Sequence, residues 1–225
     1  MNSKYVINTI NQYSYVVAER DAEFKQSLLQ SDILLPDGIG IVVATKIIKG
    51  KRIKKIAGAD LHKYLLEELN LVGGKCFYLG SSNDTLMRIK DRITHDYPSI
   101  NFGCYSPPYK PVFSEEDNQI MIDKVNSFMP TVLFVGMTAP KQEKWVYEHK
   151  DQLNVNIICS IGAVFDFYAG TIKRPNRFMI KIGMEWMGRL SNQPKRLWKR
   201  YVYYGPVFVA DLVKDIFSSI SNKGG

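Results

Sequence analysis

Leu133-Phe134-Val135-Gly136-Met137-Thr138-Ala139-Pro140-Lys141-Gln142-Glu143-Lys144-Trp145 packs a strand, a glycine turn and the opening of a helix into one short stretch. Three apolar residues bounded by a glycine read as a strand, and proline is tolerated in a helix's first turn. Gly136 lets a ligand approach the backbone at the strand end. Behind it, Lys141 is placed to meet phosphate and Gln142 to read a base or ribose edge. A solvated helix start is the alternative for the charged positions.

The same alternation recurs in both directions along the chain. Strands are expected near Tyr5 to Asn8, Ile33 to Leu35, Cys76 to Leu79, Ile100 to Tyr105, Val132 to Val135 and Ile157 to Ser160. Helices are expected over Tyr13 to Gln30, Ile39 to Ile48, Asp60 to Leu71, Asp84 to Tyr97, Glu115 to Phe128 and Lys141 to Leu153. Short β-branched runs between amphipathic stretches predict an α/β fold, a Rossmann-like sandwich of mostly parallel sheet with helices on both faces. Ligands of such sheets bind beyond the carboxyl ends of the strands. After Pro175 the composition turns basic and aromatic, so residues 1–173 are read as the core and 174–225 as a helical, basic appendage. Its last stretch, GPVFVADLVKDIFSSI, is expected to form one more amphipathic helix.

Bulk properties narrow the function classes. The chain has 225 residues, enough for one large α/β domain with a short appendage. No window holds the roughly 18 to 20 uninterrupted apolar residues of a membrane span. The N-terminus has no secretory pattern, which predicts a cytoplasmic protein. Cys76, Cys104 and Cys159 sit singly in apolar runs, as reduced core thiols do, and His62, His95 and His149 show no paired metal spacing. The net charge of +8 suits anionic partners. Its excess is concentrated at Lys173, Arg174, Arg177, Lys181, Arg189, Lys195, Arg196, Lys199 and Arg200, against the single acid Glu185. Interleaved Trp186, Trp198, Tyr201, Tyr203 and Tyr204 point this face to an anionic membrane surface rather than to nucleic acid. Apolar surface around the appendage points to self-association.

Three further stretches carry candidate chemistry. Leu35-Pro36-Asp37-Gly38-Ile39-Gly40 puts an acid at a strand end before a glycine turn, where Asp37 serves as general base or merely caps the next helix. Asn8-Thr9-Ile10-Asn11 offers hydroxyl and amide groups to a substrate hydroxyl or a diphosphate oxygen, or caps the helix after it. Gly162-Ala163-Val164-Phe165-Asp166-Phe167-Tyr168-Ala169-Gly170 sets Asp166 among aromatics, as a ribose ligand in a nucleoside pocket or as a helix acid over a packed core. There is no GxxxxGK[ST] loop and no GxGxxG fingerprint, and Gly80-Ser81-Ser82 is at most a short phosphate-friendly turn. No Asp-x-Asp is present to hold a divalent metal. Arginine forks in the appendage are the available neutraliser of a diphosphate.

Taken in order, Thr9-Ile10-Asn11, LPDGIG, AGADL, FVGMTAPKQEKW, GAVFDFYAGTIKRP and GMEWMGRL with PKRLWKRY resemble the WecG/TagA/CpsF family of bacterial glycosyltransferases over about residues 6 to 204. The resemblance implies inverting, metal-independent transfer of N-acetylmannosamine, its uronic acid or a related hexose. The donor is a UDP-sugar and the acceptor an undecaprenyl-diphosphate-linked sugar, for teichoic acid linkage units, common antigen or capsule. It implies no cofactor, and a place on the inner face of the cell membrane. Asp37 matches the family's proposed base, with Thr9 beside it. Asn11, Gln142 and Asp166 match positions lining the UDP-sugar pocket, with Gly38 and Gly136 in its turns. Arg189 and Arg196 match arginines closing over the diphosphate, with Lys199 or Arg200 as a third cation. Where the family usually has Arg ahead of AGADL this chain has Lys55, which keeps the charge and loses the fork. A leader segment is also expected ahead of the first motif. The rival readings are a nicotinamide-dependent oxidoreductase, disfavoured by the missing glycine fingerprint, and a noncatalytic peripheral membrane protein.

Overall fold

A computed structural model describes residues 4–172, 190, 194 and 198–221. Six strands form one sheet: β1 (Tyr5–Ile10), β2 (Ile33–Pro36), β3 (Lys75–Gly80), β4 (Asn101–Tyr105), β5 (Val132–Gly136) and β6 (Ile157–Ser160). Their order is β2-β1-β6-β5-β3-β4. The pairs β1–β6, β6–β5, β5–β3 and β3–β4 run parallel. The helices are α1 (Gln12–Ala18), α2 (Ala22–Leu29), α3 (Ile39–Lys49), α4 (Gly58–Val72), α5 (Asn83–Asp96), α6 (Glu115–Phe128), α7 (Lys141–His149), α8 (Gly162–Ala169) and α9 (Tyr204–Ser221). A π-helical turn, Lys199–Tyr203, leads into α9. This is the Rossmann-like sandwich expected.

Two compact units share the chain. The first comprises Met1–Thr9, Gln26–Leu34 and Gly58–Ile172, and the second Ile10–Lys25, Leu35–Ala57 and Lys173–Gly225. In the first unit, strand alternation sorts side chains onto two buried faces. Phe77, Leu79, Leu133, Val135 and Ile158 pack with Met121, Ile122 and Val125 of α6 and Trp145 and Val146 of α7. Cys76, Tyr78, Phe134 and Cys159 face the other way and are fully buried. There His62 of α4 lies 4.9 Å from the Phe134 ring and 4.8 Å from the Tyr168 ring of α8. Burial on both faces is why these strands read as unbroken apolar runs.

In the second unit Val16 of α1, Ala44 of α3 and Phe208 of α9 form a small core, with Tyr15, Ile41, Tyr204, Val207 and Leu212 packed on it. Tyr13 meets Tyr204 edge-on at 5.0 Å, and Tyr15 meets Phe208 at 5.4 Å. Arg20 pairs with Asp211 at 3.6 Å.

Two expectations are corrected. The single helix over Tyr13 to Gln30 is two, α1 and α2. The Arg20 guanidinium donates to the Val16 carbonyl at the end of α1, and Asp21 Oδ1 accepts the Phe24 amide to start α2. The helix over Lys141 to Leu153 ends at His149, and Lys150–Gln152 tightens into a 3-10 turn. Gly162 to Ala169, for which a helix was one of the two readings, is helical and is closed by Gly170 in the left-handed region. Cys104, on the edge strand β4, is half-buried, whereas Cys76 and Cys159 are buried; all three are free thiols.

Candidate functional site

In the second unit the chain around Asp37 is stitched to the end of β1. The Asp37 amide donates to the Ile10 carbonyl at 2.8 Å, and the Ile56 amide donates to the Pro36 carbonyl at 3.0 Å. Asp37 and Lys55 thereby flank the same backbone junction, and both side chains are half-buried. The N-cap of α3 is Gly38, at φ 149°, with no side-chain cap bond, so Asp37 does not occupy the capping position. Thr9, also half-buried, stands on β1 directly before Ile10.

Asn11 does cap a helix. Its Oδ1 accepts the Ser14 amide at 3.0 Å and the Ser14 hydroxyl at 3.2 Å. The next residue, Gln12, was not singled out from sequence, and its carboxamide lies against both glycines of LPDGIG. A Cβ on Gly38 would stand 2.8 Å from Gln12 Oε1, and one on Gly40 would collide with Gln12 Nε2. Tyr13, also missed, carries the Arg200 guanidinium over its ring at 4.1 Å. The second unit therefore gathers Asp37, Gln12 and Arg200 at the Ile10–Tyr13 segment beside Asn11, with Lys55 next to the Ile56 amide that bonds the Pro36 carbonyl. An acid, an amide and cations held this way suit proton removal beside a phosphorylated ligand. Lys199 is exposed. Arg189 and Arg196 lie outside the described residues.

The first unit builds a second set of polar groups at the switch point of its sheet. Strand order reverses at β3, whose neighbours are β4 and β5, and such a reversal opens a crevice beyond the strand ends. The Ser81 amide donates to the Gly136 carbonyl at 3.0 Å, and the Ser106 hydroxyl to the Ser81 carbonyl at 2.7 Å. Gly80 has φ 117°, and a Cβ there would run into the Gly136 carbonyl oxygen, so only glycine fits. Ser81 at φ 62° and Thr138 at φ 75° are strained non-glycine residues on these two loops. Ser82 caps α5 by accepting the Thr85 amide at 3.3 Å.

Gln142 is buried. Its Oε1 accepts the Met137 amide at 3.3 Å, its own amide donates to the Thr138 carbonyl at 3.3 Å, and its Nε2 donates to Glu143 at 2.9 Å. In this geometry it orders the loop after Gly136. The Lys141 ammonium donates to the Lys110 carbonyl and stands 3.4 Å above the Phe113 ring, and its desolvation lowers its pKa. Asp166 is half-buried on the second turn of α8, and its backbone carbonyl accepts the Ile172 amide at 3.2 Å. Beneath the loops, His62 Nε2 and the Tyr78 hydroxyl share a 2.5 Å hydrogen bond. Burial, assisted by the Arg92 charge, pulls the His62 pKa from 6.5 to about 3 and keeps the ring neutral. No helix among the described residues is long and apolar enough to cross a membrane.

A family model described as "Glycosyl transferase WecG/TagA/CpsF family" matches residues 1–222. An N-acetylglucosaminyldiphosphoundecaprenol N-acetyl-beta-D-mannosaminyltransferase of Bacillus subtilis (strain 168) is 30% identical over 195 residues, covering 87% of this chain and 74% of the relative. A protein of the same name from Bacillus spizizenii is 29% identical, covering 95% of this chain and 80% of that one. Another from Staphylococcus aureus (strain MW2) is 24% identical, covering 95% and 81%.

Proposed function

We propose that this chain, which belongs to the glycosyl transferase WecG/TagA/CpsF family, is an inverting, metal-independent transferase acting at the inner face of the cell membrane. It moves N-acetylmannosamine, or a related hexose or uronic acid, from a UDP-sugar to an undecaprenyl-diphosphate-linked sugar for cell-surface polysaccharide. The names of its relatives support a mannosaminyl donor group and an N-acetylglucosaminyl-diphosphoundecaprenol acceptor.

The observation that carries the reading is Asp37, fixed at a strand tip through its own amide and displaced from the N-cap by Gly38. Asp37 takes the proton from the acceptor hydroxyl as that oxygen attacks the anomeric carbon. The carbon–oxygen bond to UDP breaks, and one displacement inverts the centre. Lys55 and Arg200 supply positive charge in the same unit, with Arg189, Arg196 and Lys199 as further cations for the departing diphosphate. Thr9 stands beside the base, and Asn11 lines the UDP-sugar side. Gly136, Gln142 and Asp166 belong to the nucleotide side of the reaction.

Asp37→Asn keeps the shape and removes the base. With a UDP-sugar and an undecaprenyl-diphosphate-N-acetylglucosamine analogue, its kcat should fall by about 10²–10⁴ while UDP affinity stays unchanged. Turnover within about threefold of the unsubstituted enzyme rejects Asp37 as the base. Absence of UDP release by the unsubstituted enzyme with any UDP-sugar rejects the transferase reading itself.

A further inference from the structure

Helix α3 has two faces of different fate. Ile41 and Ala44 pack toward Phe208 in the core of the second unit. On the opposite side Ile39, Val43 and Ile47, spaced one turn apart, are 47%, 46% and 55% exposed. Three large apolar side chains in a row on a solvent-facing ridge lose free energy in water that burial would recover. The ridge runs into cations. Lys46 and Lys49 stand in the last turn of α3, Gly50 ends it in the left-handed region, and Lys51, Arg52, Lys54 and Lys55 follow. No acid occurs between Asp37 and Asp60.

We propose that the Ile39–Val43–Ile47 ridge of α3, with Lys46, Lys49, Lys51, Arg52 and Lys54, is a membrane-contact element that docks on anionic phospholipid. The chemistry selects the occupant. An apolar stripe edged by long cationic side chains matches a boundary where acyl chains meet phosphate, since lysine stems lie along apolar surface while their ammonium groups reach the headgroups. A second copy of this chain would bring the same cations against themselves. The contact is made by α3 rather than by the cations of residues 173–200, and it rests on the reading above only in sharing the membrane as the place of work.

The test uses the full chain. Val43→Ser with Ile47→Ser removes the ridge at exposed positions, and Lys46→Gln with Lys49→Gln removes charge at its edge. Partitioning is measured on phosphatidylcholine vesicles with and without phosphatidylglycerol, and turnover is measured with a detergent-free, short-chain acceptor. The ridge variant should partition about tenfold more weakly onto phosphatidylglycerol vesicles, with an unchanged melting midpoint and unchanged turnover on the short-chain acceptor. The charge variant should lose much of its preference for phosphatidylglycerol over phosphatidylcholine. Unchanged partitioning of the ridge variant overturns the proposal, and leaves an acidic protein as the ridge's occupant. A wild-type dimer that the ridge variant converts to monomer overturns it in favour of self-association. Neither result bears on transfer, which the short-chain assay reads separately.

Discussion

Gly80 and Gly170 both lie at positive φ, yet they carry different burdens. Around Gly170 a Cβ would meet nothing within 4 Å, so alanine there pays only for its backbone conformation, about 1–2 kcal/mol. At Gly80 the added carbon would also collide with the Gly136 carbonyl, which receives the Ser81 amide. Backbone cannot swing aside as a flexible side chain does. Gly80→Ala should therefore cost at least about 2 kcal/mol more than Gly170→Ala in urea unfolding. Equal costs would mean that the two loop ends are not locked together. The glycines of LPDGIG face the softer neighbour, the Gln12 carboxamide, so Gly40→Ala should be tolerated better than Gly80→Ala while displacing Gln12.

At the scale of elements, α9 and the π-helical turn before it join α1 through edge-on ring pairs and the Arg200 guanidinium. Arg200 over Tyr13 is a cation–π contact of about 0.5–2 kcal/mol, and it fixes a cation proposed to meet the diphosphate. Tyr13→Ala should raise KM for the UDP-sugar about three- to tenfold with a smaller effect on kcat, and Tyr13→Phe should behave as wild type. A kcat loss equal in both variants would remove Arg200 from that role. This joint also marks what the sequence made legible. The strands could be read because Phe77, Phe134 and Ile158 are apolar on faces that are each covered. Asp37 could be singled out as a candidate because it stands at a strand end before glycine, but spacing alone left base and helix cap as equal alternatives, and only the fold shows Gly38 in the N-cap place. The break at Glu19 to Asp21 could not, since Glu19 and Arg20 favour helix, and the bonds that end α1 run to Val16 and, far along the chain, Asp211. Gln12 and Tyr13 were missed for the same reason. Their meaning lies in Gly38, Gly40 and Arg200, which no local pattern connects to them.

For the whole molecule, pH should act through groups that folding keeps neutral. His62 titrates near 6.5 when unfolded and near 3 in the fold, where burial and the Arg92 charge oppose its protonation. Between those values the unfolded chain binds the extra proton, so stability is complete above about pH 6.5 and falls as pH drops toward 3. One proton corresponds to about 1.4 kcal/mol per pH unit, on the order of 5 kcal/mol across the window. At the alkaline side burial pushes the Cys76 thiol up to about 12 and raises Cys159 and Tyr78 as well. There the folded state holds protons that the unfolded state has lost, and stability declines above about pH 9. Urea midpoints taken from pH 4 to 8 should therefore plateau near neutrality and slope downward in acid. His62→Gln keeps a hydrogen-bonding partner for the Tyr78 hydroxyl and cannot titrate in this range. It should flatten the acid limb between pH 6 and 4 by about one proton's worth of slope, leaving the alkaline decline untouched. Parallel acid limbs for the two proteins would show that His62 is not the group that folding holds neutral.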